Sequence, residues 1–382
     1  MSRSVFHAVQ PDTGRATLDA GRADVPAFAL TFDDGPDLVP IERWLKALED
    51  KGARGTFFFT GEWLDRHPRL ARRIIARGHE LAHHSYHHRR MGEIEDQALF
   101  LEEIRLAEIA YQEATGRPAP AFFRFPYLHY RERNLQWLSG IGYVAVGGFD
   151  SGDWAGIDAE SIAANVAPAL ESGIVVVHHC NDIARGTPGA LPVILDAAAE
   201  RGLKAVVVSD MLRALGRHPG YRSWRLSITV PADGPDLPPE DWRPAGAPEE
   251  ARRVADESYD WFTAAAAREA SGSRAGWRKY FAEPITGPDG ITEDRTLLYG
   301  RYFADKYWGY VRAAVKDDAL HLIDFAFREA QADTLIYLLR WSAETARERG
   351  CARIETRRDM RRLERMCRHL GWRTEWILET SN

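Results

Sequence analysis

The 382-residue sequence contains only three cysteines, no excess of positive charge and no long hydrophobic run. An odd, small number of cysteines gives no disulfide framework, and the net charge of −6 gives no global signature of nucleic-acid binding. No window approaches the length of a membrane span, and the polar residues 1–24 lack the apolar core of a signal peptide. We therefore expect a cytoplasmic protein without a nucleic-acid partner.

The length and the order of local patterns predict two domains that differ in composition and in the order of their strands and helices. Between residues 27 and 215, short apolar runs alternate with amphipathic stretches in seven β/α units, which predicts an α/β domain with parallel strands. An open doubly wound sheet and a barrel both agree with this order. The strands are expected at 27–33, 55–59, 79–83, 122–124, 142–147, 173–178 and 203–208.

Polar clusters follow five of these predicted strands. They comprise Asp33 with Asp34, residues 83–88, Arg124, residues 150–153 and His178. Active-site residues of β/α proteins gather at the carboxyl ends of parallel strands. The clusters are therefore expected to converge on one site.

The neighbouring carboxylates of Asp33 and Asp34 need a cation or a proton between them, because like charges at a strand end repel each other. Imidazole and carboxylate groups are good ligands for zinc and similar ions. Two histidine pairs have a spacing that reaches one ion, His84 with His88 and His83 with His87. With Asp34 as a third ligand, either pair predicts a catalytic divalent metal centre, and zinc is the expected ion, with Co²⁺ or Ni²⁺ as alternatives. A histidine-rich surface turn without function is the competing interpretation.

Acid–base chemistry also has candidates. Asp33 is placed to take a proton from water, and Arg124 to orient it, although an ordinary salt-bridge arginine is the alternative for Arg124. His178, at the end of a predicted strand, suits a general acid whose other ring nitrogen Asp153 holds. Taken alone, His178 is better explained as a core histidine whose hydrogen bonds are satisfied.

Five stretches in this order resemble the motifs of the NodB-type polysaccharide deacetylases, which form carbohydrate esterase family four. They are residues 31–36, 78–88, 124–127, 150–154 and 176–178, and the resemblance extends over about residues 25–215. It implies a distorted (β/α)7 barrel.

The resemblance implies a role for each matching residue. Asp34, His84 and His88 would bind the metal, which resolves the choice between the histidine pairs. Asp33 would be the base, with Arg124 orienting it, and His178 the acid, with Asp153 tuning it. The backbone N–H of Tyr127 would hold the oxyanion. Trp154 and Val176 would line the acetyl pocket. His179 and Cys180 depart from the family pattern, and we interpret Cys180 as a small packing residue.

The second half of the chain is harder to assign. Residues 216–250 are rich in proline and glycine and predict a linker or an irregular packed arm. Residues 251–382 predict an α+β domain that loosely resembles GNAT-type acyltransferases. Its expected coenzyme A loop, residues 328–333, lacks the glycines, so we predict a non-catalytic module. The last predicted helix carries a basic face, formed by Arg361, Arg362, Arg365, Arg368 and His369. This face is expected to be a solvated surface, and the alternative is contact with an anionic glycan, a nucleotide or a lipid head group.

These observations predict a metal-dependent hydrolase that removes an N-acetyl group from a sugar of a polysaccharide or a lipid-linked glycan precursor. Removal of formyl or another small acyl group from a sugar amide is one alternative. A bifunctional deacetylase–acyltransferase is another, and a glycan-binding protein on an inactive esterase scaffold is the third.

Overall fold

A computed structural model of the chain describes residues 17–18, 26–217, 220–232, 241–259, 274–287, 291–303, 306–327, 332–357 and 359–381. The chain divides into two compact units, Met1–Ser223 with Thr380–Asn382 and Trp224–Glu379. Among the described residues, every helix is too short or too polar to cross a membrane. All three cysteines are buried and free.

The first unit is built on a parallel sheet. The strands of this unit are β1 (Thr17–Leu18), β2 (Ala27–Asp34), β3 (Thr56–Phe59), β4 (Glu80–His83), β5 (Ala119–Pro120), β6 (Phe122–Phe123), β7 (Val144–Val146), β8 (Phe149–Asp150), β9 (Val175–Cys180) and β10 (Lys204–Val206). The sheet has the pairing order β1-β7-β6-β4-β3-β2-β9-β8, and β10 pairs with the start of β2. The short β5 pairs with Tyr221 and Arg222 instead.

Helices connect most of these parallel strands. They are α1 (Glu42–Glu49), α2 (Gly61–Arg66), α3 (Pro68–Ala76), α4 (Gln97–Thr115), α5 (Glu132–Gly140), α6 (Ala159–Val166), α7 (Thr187–Glu200) and α8 (Val208–Ala214). The seven strands expected from the sequence are all present, and the parallel α/β class is confirmed as a half-barrel sheet.

Both faces of the sheet are buried, which explains why its strands are apolar without alternation. On β2, Phe28, Leu30 and Phe32 pack in the core cluster shared with the helices α1 and α7. Ala29 packs in a separate cluster with residues of β3, β4, β6, β7 and β9. Because the core fixes which side chains face each way, the carboxyl ends of the strands present defined side chains.

Strand β9 ends two residues later than the sequence predicted. Val176 and Cys180 pack in the same cluster as Phe32, so Cys180 is the packing residue that the sequence predicted. His178 stacks on Phe32 with ring centroids 5.7 Å apart. Since side chains alternate along a strand, His179 points to the opposite face.

The second unit contains a mixed sheet. Its strands are β11 (Tyr221–Thr229, shared with the first unit), β12 (Asp241–Pro244), β13 (Leu298–Phe303), β14 (Lys306–Lys316), β15 (Ala319–Phe327), β16 (Arg353–Thr356) and β17 (Thr374–Ser381). The pairing order is β12-β13-β14-β15-β16-β11-β17, in which β15 and β16 are parallel. Its helices are α9 (Pro248–Tyr259), α10 (Arg274–Ala282), α11 (Ala332–Glu348) and α12 (Met360–His369).

The segment 216–250 differs from the predicted linker, because it contains β11, β12 and the start of α9. Leu226 and Ile228 of β11 are fully buried, so the described part of this segment around β11 packs within a sheet. Most of the predicted coenzyme A loop, residues 328–331, lies outside the described residues. Helix α12, which carries the predicted basic face, buries Met360, Leu363 and Cys367. The resemblance to acyltransferases stays a prediction.

Candidate active site and metal centre

The predicted site residues come from the carboxyl ends of neighbouring strands. Asp33 and Asp34 end β2, His84 follows β4, and Arg124 follows β6. Strand β9 lies beside β2 with His179 opposite Asp33. The parallel order of the sheet therefore brings together residues that are far apart in the sequence.

Asp34, His84 and His88 form a cluster whose potential ligand atoms all lie within 4.8 Å of one another. Asp34 Oδ1 is 3.1 Å from His88 Nε2 and 3.9 Å from His84 Nε2. This oxygen is buried and accepts no hydrogen bond from any residue that the structure describes. A buried, unpartnered carboxylate oxygen between two imidazole nitrogens fits a divalent metal.

The other ring nitrogens of these histidines have partners. His84 Nδ1 lies 2.8 Å from the carbonyl oxygen of Arg124, so it donates there and leaves Nε2 bare. His88 Nδ1 lies 3.1 Å from Tyr127 Oη. Burial lowers the pKa of His84 well below its ordinary value, which keeps the ring neutral. Both rings are therefore oriented as metal-binding histidines usually are.

The alternative histidine pair is engaged elsewhere. His83 Nε2 lies 2.9 Å from Tyr143 Oη, and His87 Nδ1 lies 2.7 Å from Glu103 Oε1. Neither belongs to the cluster around Asp34. The geometry thus favours His84 and His88.

Asp34 stays ionised in this environment. Burial acts to raise the pKa of its carboxyl, but the close contact with His88 and the electrostatic interaction with the His84 ring lower it below its ordinary value. The backbone of Asp34 is left-handed, with φ 83°. Its second oxygen, Oδ2, accepts a hydrogen bond of 2.7 Å from Asn181 Nδ2. Sequence reasoning missed Asn181, whose signal was its position one residue beyond β9.

Asp33 forms a buried ion pair with Arg124, in which Arg124 Nη1 donates to Asp33 Oδ1 at 2.8 Å. The same guanidinium donates to Thr31 Oγ1 at 2.6 Å and to the carbonyls of Val146 and Gly147 at 3.1 and 3.0 Å. Burial raises the pKa of Asp33 to about 6, although Arg124 acts to lower it. Asp33 Oδ2 lies 3.8 Å from His84 Nε2, at the edge of the candidate metal centre.

The predicted partnership of Asp153 with His178 is wrong. Asp153 Oδ1 lies 2.7 Å from Nδ1 of His179. Asp153 Oδ2 accepts one hydrogen bond of 2.8 Å from the backbone N–H of His179 and another of 2.6 Å from Thr187 Oγ1. His178 Nδ1 is 3.8 Å from Asp153, and neither of its ring nitrogens has a hydrogen-bond partner in the part of the chain that the structure describes.

The pKa values of His178 and His179 are shifted in opposite directions. Burial lowers the pKa of His178 to about 4. Burial acts in the same direction on His179, yet its hydrogen bond to Asp153 and the charges of Asp153, Asp33 and Asp34 raise its pKa to about 9. At neutral pH, His178 is neutral and His179 carries a proton that it can donate.

The position of Val176 also corrects the sequence-based assignment. Its side chain packs in the helix-covered core cluster and does not face the carboxylates. A shift of one residue on a strand moves every side chain to the other face. By the same alternation, Val177 shares the face of His179.

Tyr127 and Trp154 lie on the loops that follow β6 and β8. Each is 58% exposed, so both are available to a ligand. Tyr127 has left-handed backbone, with φ 59°, and Trp154 Nε1 donates to Asp150 Oδ2 at 3.0 Å. Both positions are compatible with the roles that the sequence suggested.

Comparison with known proteins finds relatives of the first unit. The polysaccharide deacetylase family profile matches residues 20–146. A peptidoglycan-N-acetylglucosamine deacetylase of Bacillus cereus is 31% identical over 193 residues, which cover 49% of this chain and 88% of that protein. A chitooligosaccharide deacetylase of a Bradyrhizobium species is 31% identical over 151 residues, 39% of this chain and 68% of that protein. The chain belongs to the polysaccharide deacetylase family.

Solved structures include similar proteins. A family 4 carbohydrate esterase from Streptomyces lividans in complex with acetate is 32% identical, with a TM-score of 0.44, and the match covers 48% of this deacetylase and 93% of that chain. A crystal structure of a peptidoglycan N-acetylglucosamine deacetylase is 28% identical, with a TM-score of 0.49, over 52% of this deacetylase and 92% of that chain.

Proposed function

We propose that this deacetylase removes the N-acetyl group from a sugar of a polysaccharide or a lipid-linked glycan precursor, using water activated at a divalent metal. One observation carries the proposal, namely the cluster of Asp34, His84 and His88 beside the buried pair of Asp33 and Arg124. The names of the relatives, which are deacetylases of peptidoglycan and chitooligosaccharide, support the substrate class.

The three clustered residues would hold the ion through Asp34 Oδ1 and the two Nε2 atoms. Zinc is the metal that the donor set favours, with Co²⁺ or Ni²⁺ as alternatives. When bound, the ion supplies Lewis-acid polarisation of the amide carbonyl and activation of water.

Asp33 is the proposed general base. Arg124 holds one of its carboxylate oxygens, which leaves Oδ2 facing the candidate metal centre to take a proton from water. Since Arg124 is completely buried and makes four hydrogen bonds, it fixes the direction of this carboxylate. The backbone N–H of Tyr127 and the indole of Trp154 are the proposed oxyanion donor and acetyl-pocket wall.

His179, instead of His178, is the proposed general acid that protonates the leaving amine. Asp153 holds its Nδ1, so Nε2 is free to deliver a proton. The raised pKa keeps the ring protonated at neutral pH, which a general acid requires.

Two matched variants test the acid. We expect His179→Asn to lower kcat on N-acetylglucosamine oligomers by roughly 10²- to 10⁴-fold, the usual contribution of a general acid. His178→Asn should keep most of the kcat, because that ring faces the core. A folded His178→Asn protein that loses as much activity as His179→Asn would contradict the assignment.

The ligand set and the substrate have separate tests. Asp34→Ala should no longer retain a stoichiometric divalent ion in elemental analysis, and retention of the ion would contradict the proposed ligands.

A panel of N-acetylated and N-formylated amino sugars, oligomers and lipid-linked precursors would identify the acyl group and the glycan. Faster removal of formyl than of acetyl would favour the deformylase alternative.

A further inference from the structure

Asn181 makes a contact with the candidate metal centre that the proposed catalytic roles do not use. Its side-chain nitrogen donates to Asp34 Oδ2 at 2.7 Å. Its side-chain oxygen accepts hydrogen bonds from the backbone N–H groups of Ile183 and Ala184, at 3.0 and 2.9 Å. Because two N–H donors face the oxygen, the orientation of this amide is set, and the NH₂ group has to point at Asp34.

This hydrogen bond makes the two oxygens of Asp34 unequal. Oδ2 is occupied by Asn181, whereas Oδ1 is buried, without a hydrogen bond from the described residues, and faces both histidines. A carboxylate held in this way offers one oxygen to an ion and resists rotation towards a two-oxygen arrangement. Asp34 also has left-handed backbone, which a non-glycine residue keeps only when its surroundings hold it.

The loops around this contact are joined by further hydrogen bonds. The N–H of Gly35 donates to the carbonyl of Cys180 at 3.0 Å. Asp182 Oδ1 accepts from the N–H groups of Leu38 and Val39 at 2.9 and 2.8 Å. Asn181 thus lies within a seam between the loops after β2 and β9, and it is the residue of this seam that hydrogen-bonds the carboxylate of Asp34.

We propose that Asn181 is a positioning residue for the metal ligand Asp34, and that it sets both the affinity for the ion and the one-oxygen coordination by Asp34. This inference rests on the proposed function, in which Asp34 is a ligand. Asn181 does not touch the ion or the substrate in this scheme. Its effect is transmitted through the direction of one carboxylate.

Asn181→Ser tests the proposal with little change to the loop. A serine hydroxyl can accept from the same backbone N–H groups, but it is too short to reach Asp34. We expect the dissociation constant for Zn²⁺, measured on the full chain by competition with a chromophoric chelator, to rise about 10- to 100-fold, as for other residues that orient metal ligands. Thermal unfolding of the metal-free protein should stay close to that of the wild type, and Asn181→Thr replaces the serine variant if the latter is unfolded.

Asp182→Ala is the matched control, because it removes two bonds of the same seam without touching Asp34. It should bind Zn²⁺ like the wild type. The visible absorption spectrum of the Co²⁺-substituted protein adds a measurement that loop loosening alone would not change, since Asn181→Ser should alter the d–d bands and Asp182→Ala should not. Unchanged Zn²⁺ affinity in Asn181→Ser, or equal losses in both variants, would overturn the proposal.

The proposed metal ligands and the proposed role of Asn181 can be disproved separately. If the wild-type chain binds no divalent ion, or if Asp34→Ala keeps the ion, the proposed function loses its ligand set. If the wild type binds Zn²⁺ through Asp34 and Asn181→Ser binds it equally well, only the positioning role of Asn181 is wrong.

Discussion

Two adjacent carboxylates at the end of β2 have opposite environments. Asp33 is paired with Arg124 and has a pKa raised by burial, while Asp34 faces two imidazoles that keep it ionised. The sequence predicted Asp34 as the metal ligand and Asp33 as the base, and the resemblance to the deacetylase motifs implied the same division of roles. It did not predict Asn181, since one asparagine after a strand has no distinctive pattern.

The pH dependence of kcat/KM should report His179. Its pKa is raised from an ordinary 6.5 to about 9, so the protonated acid is present at neutral pH and is lost as the pH rises through about 9. We expect activity to fall on the alkaline side near that value. Asp153→Asn should move this limb to lower pH, because it removes the negative charge that holds the proton. An alkaline limb that stays in place in Asp153→Asn would show that another group controls it.

At the scale of elements, hydrophobic patterns predicted strands well and registers poorly. The run of valines before His178 located β9, but an apolar run without alternation does not tell which residues face inward. Two consecutive histidines at its end made both assignments possible, and only the pairing of β9 with β2 decides between them. In the second unit, β11 was missed because a proline-rich neighbourhood hid its buried Leu226 and Ile228.

The turn after β2 has a strict steric requirement at Gly35. Its φ is +108°, and a Cβ there would lie 2.6 Å from the buried ring of Trp63. We expect Gly35→Ala to lower the free energy of unfolding by about 2–4 kcal/mol, from backbone strain and overpacking together. Urea denaturation of the metal-free protein measures this.

Gly52→Ala is the control for that substitution, because Gly52 also has a positive φ, +63°, with open space around its Cβ. Gly52→Ala should lower the free energy of unfolding by about 1–2 kcal/mol, from the strain of a left-handed backbone alone. Equal losses at the two positions would mean that contact with Trp63 contributes nothing.

At the scale of the whole molecule, the first unit extends beyond the range in which the family motifs were found. Arg222 Nε donates to Glu108 Oε1 at 2.5 Å, and Tyr143 Oη donates to the same carboxylate oxygen at 2.5 Å. Tyr143 in turn contacts His83, which precedes the candidate ligand His84. The compositional boundary near residue 215 could not reveal this, because a single buried ion pair leaves no pattern in the sequence.

Arg222→Leu in the full chain should therefore destabilise the first unit. Glu108 would remain buried without its cation, which typically costs about 3–5 kcal/mol. The double variant Arg222→Leu, Glu108→Leu should recover part of the loss, because it removes the uncompensated charge. Urea denaturation, monitored by tryptophan fluorescence, measures the free energy of unfolding of both variants. A double variant no more stable than Arg222→Leu would contradict this explanation.

The pairing of β2 with β9 also has a consequence for the order of folding. Asp34 and Asn181 are 147 positions apart in the chain, and Thr31 and Val176, which hydrogen-bond each other, are 145 apart. Contacts of such long range form late, because the loop between them must first close. The α/β units between them can assemble earlier, from local contacts. Capture of a metal ion would then mark the last stage of refolding, and a chelator-based indicator would follow it in real time.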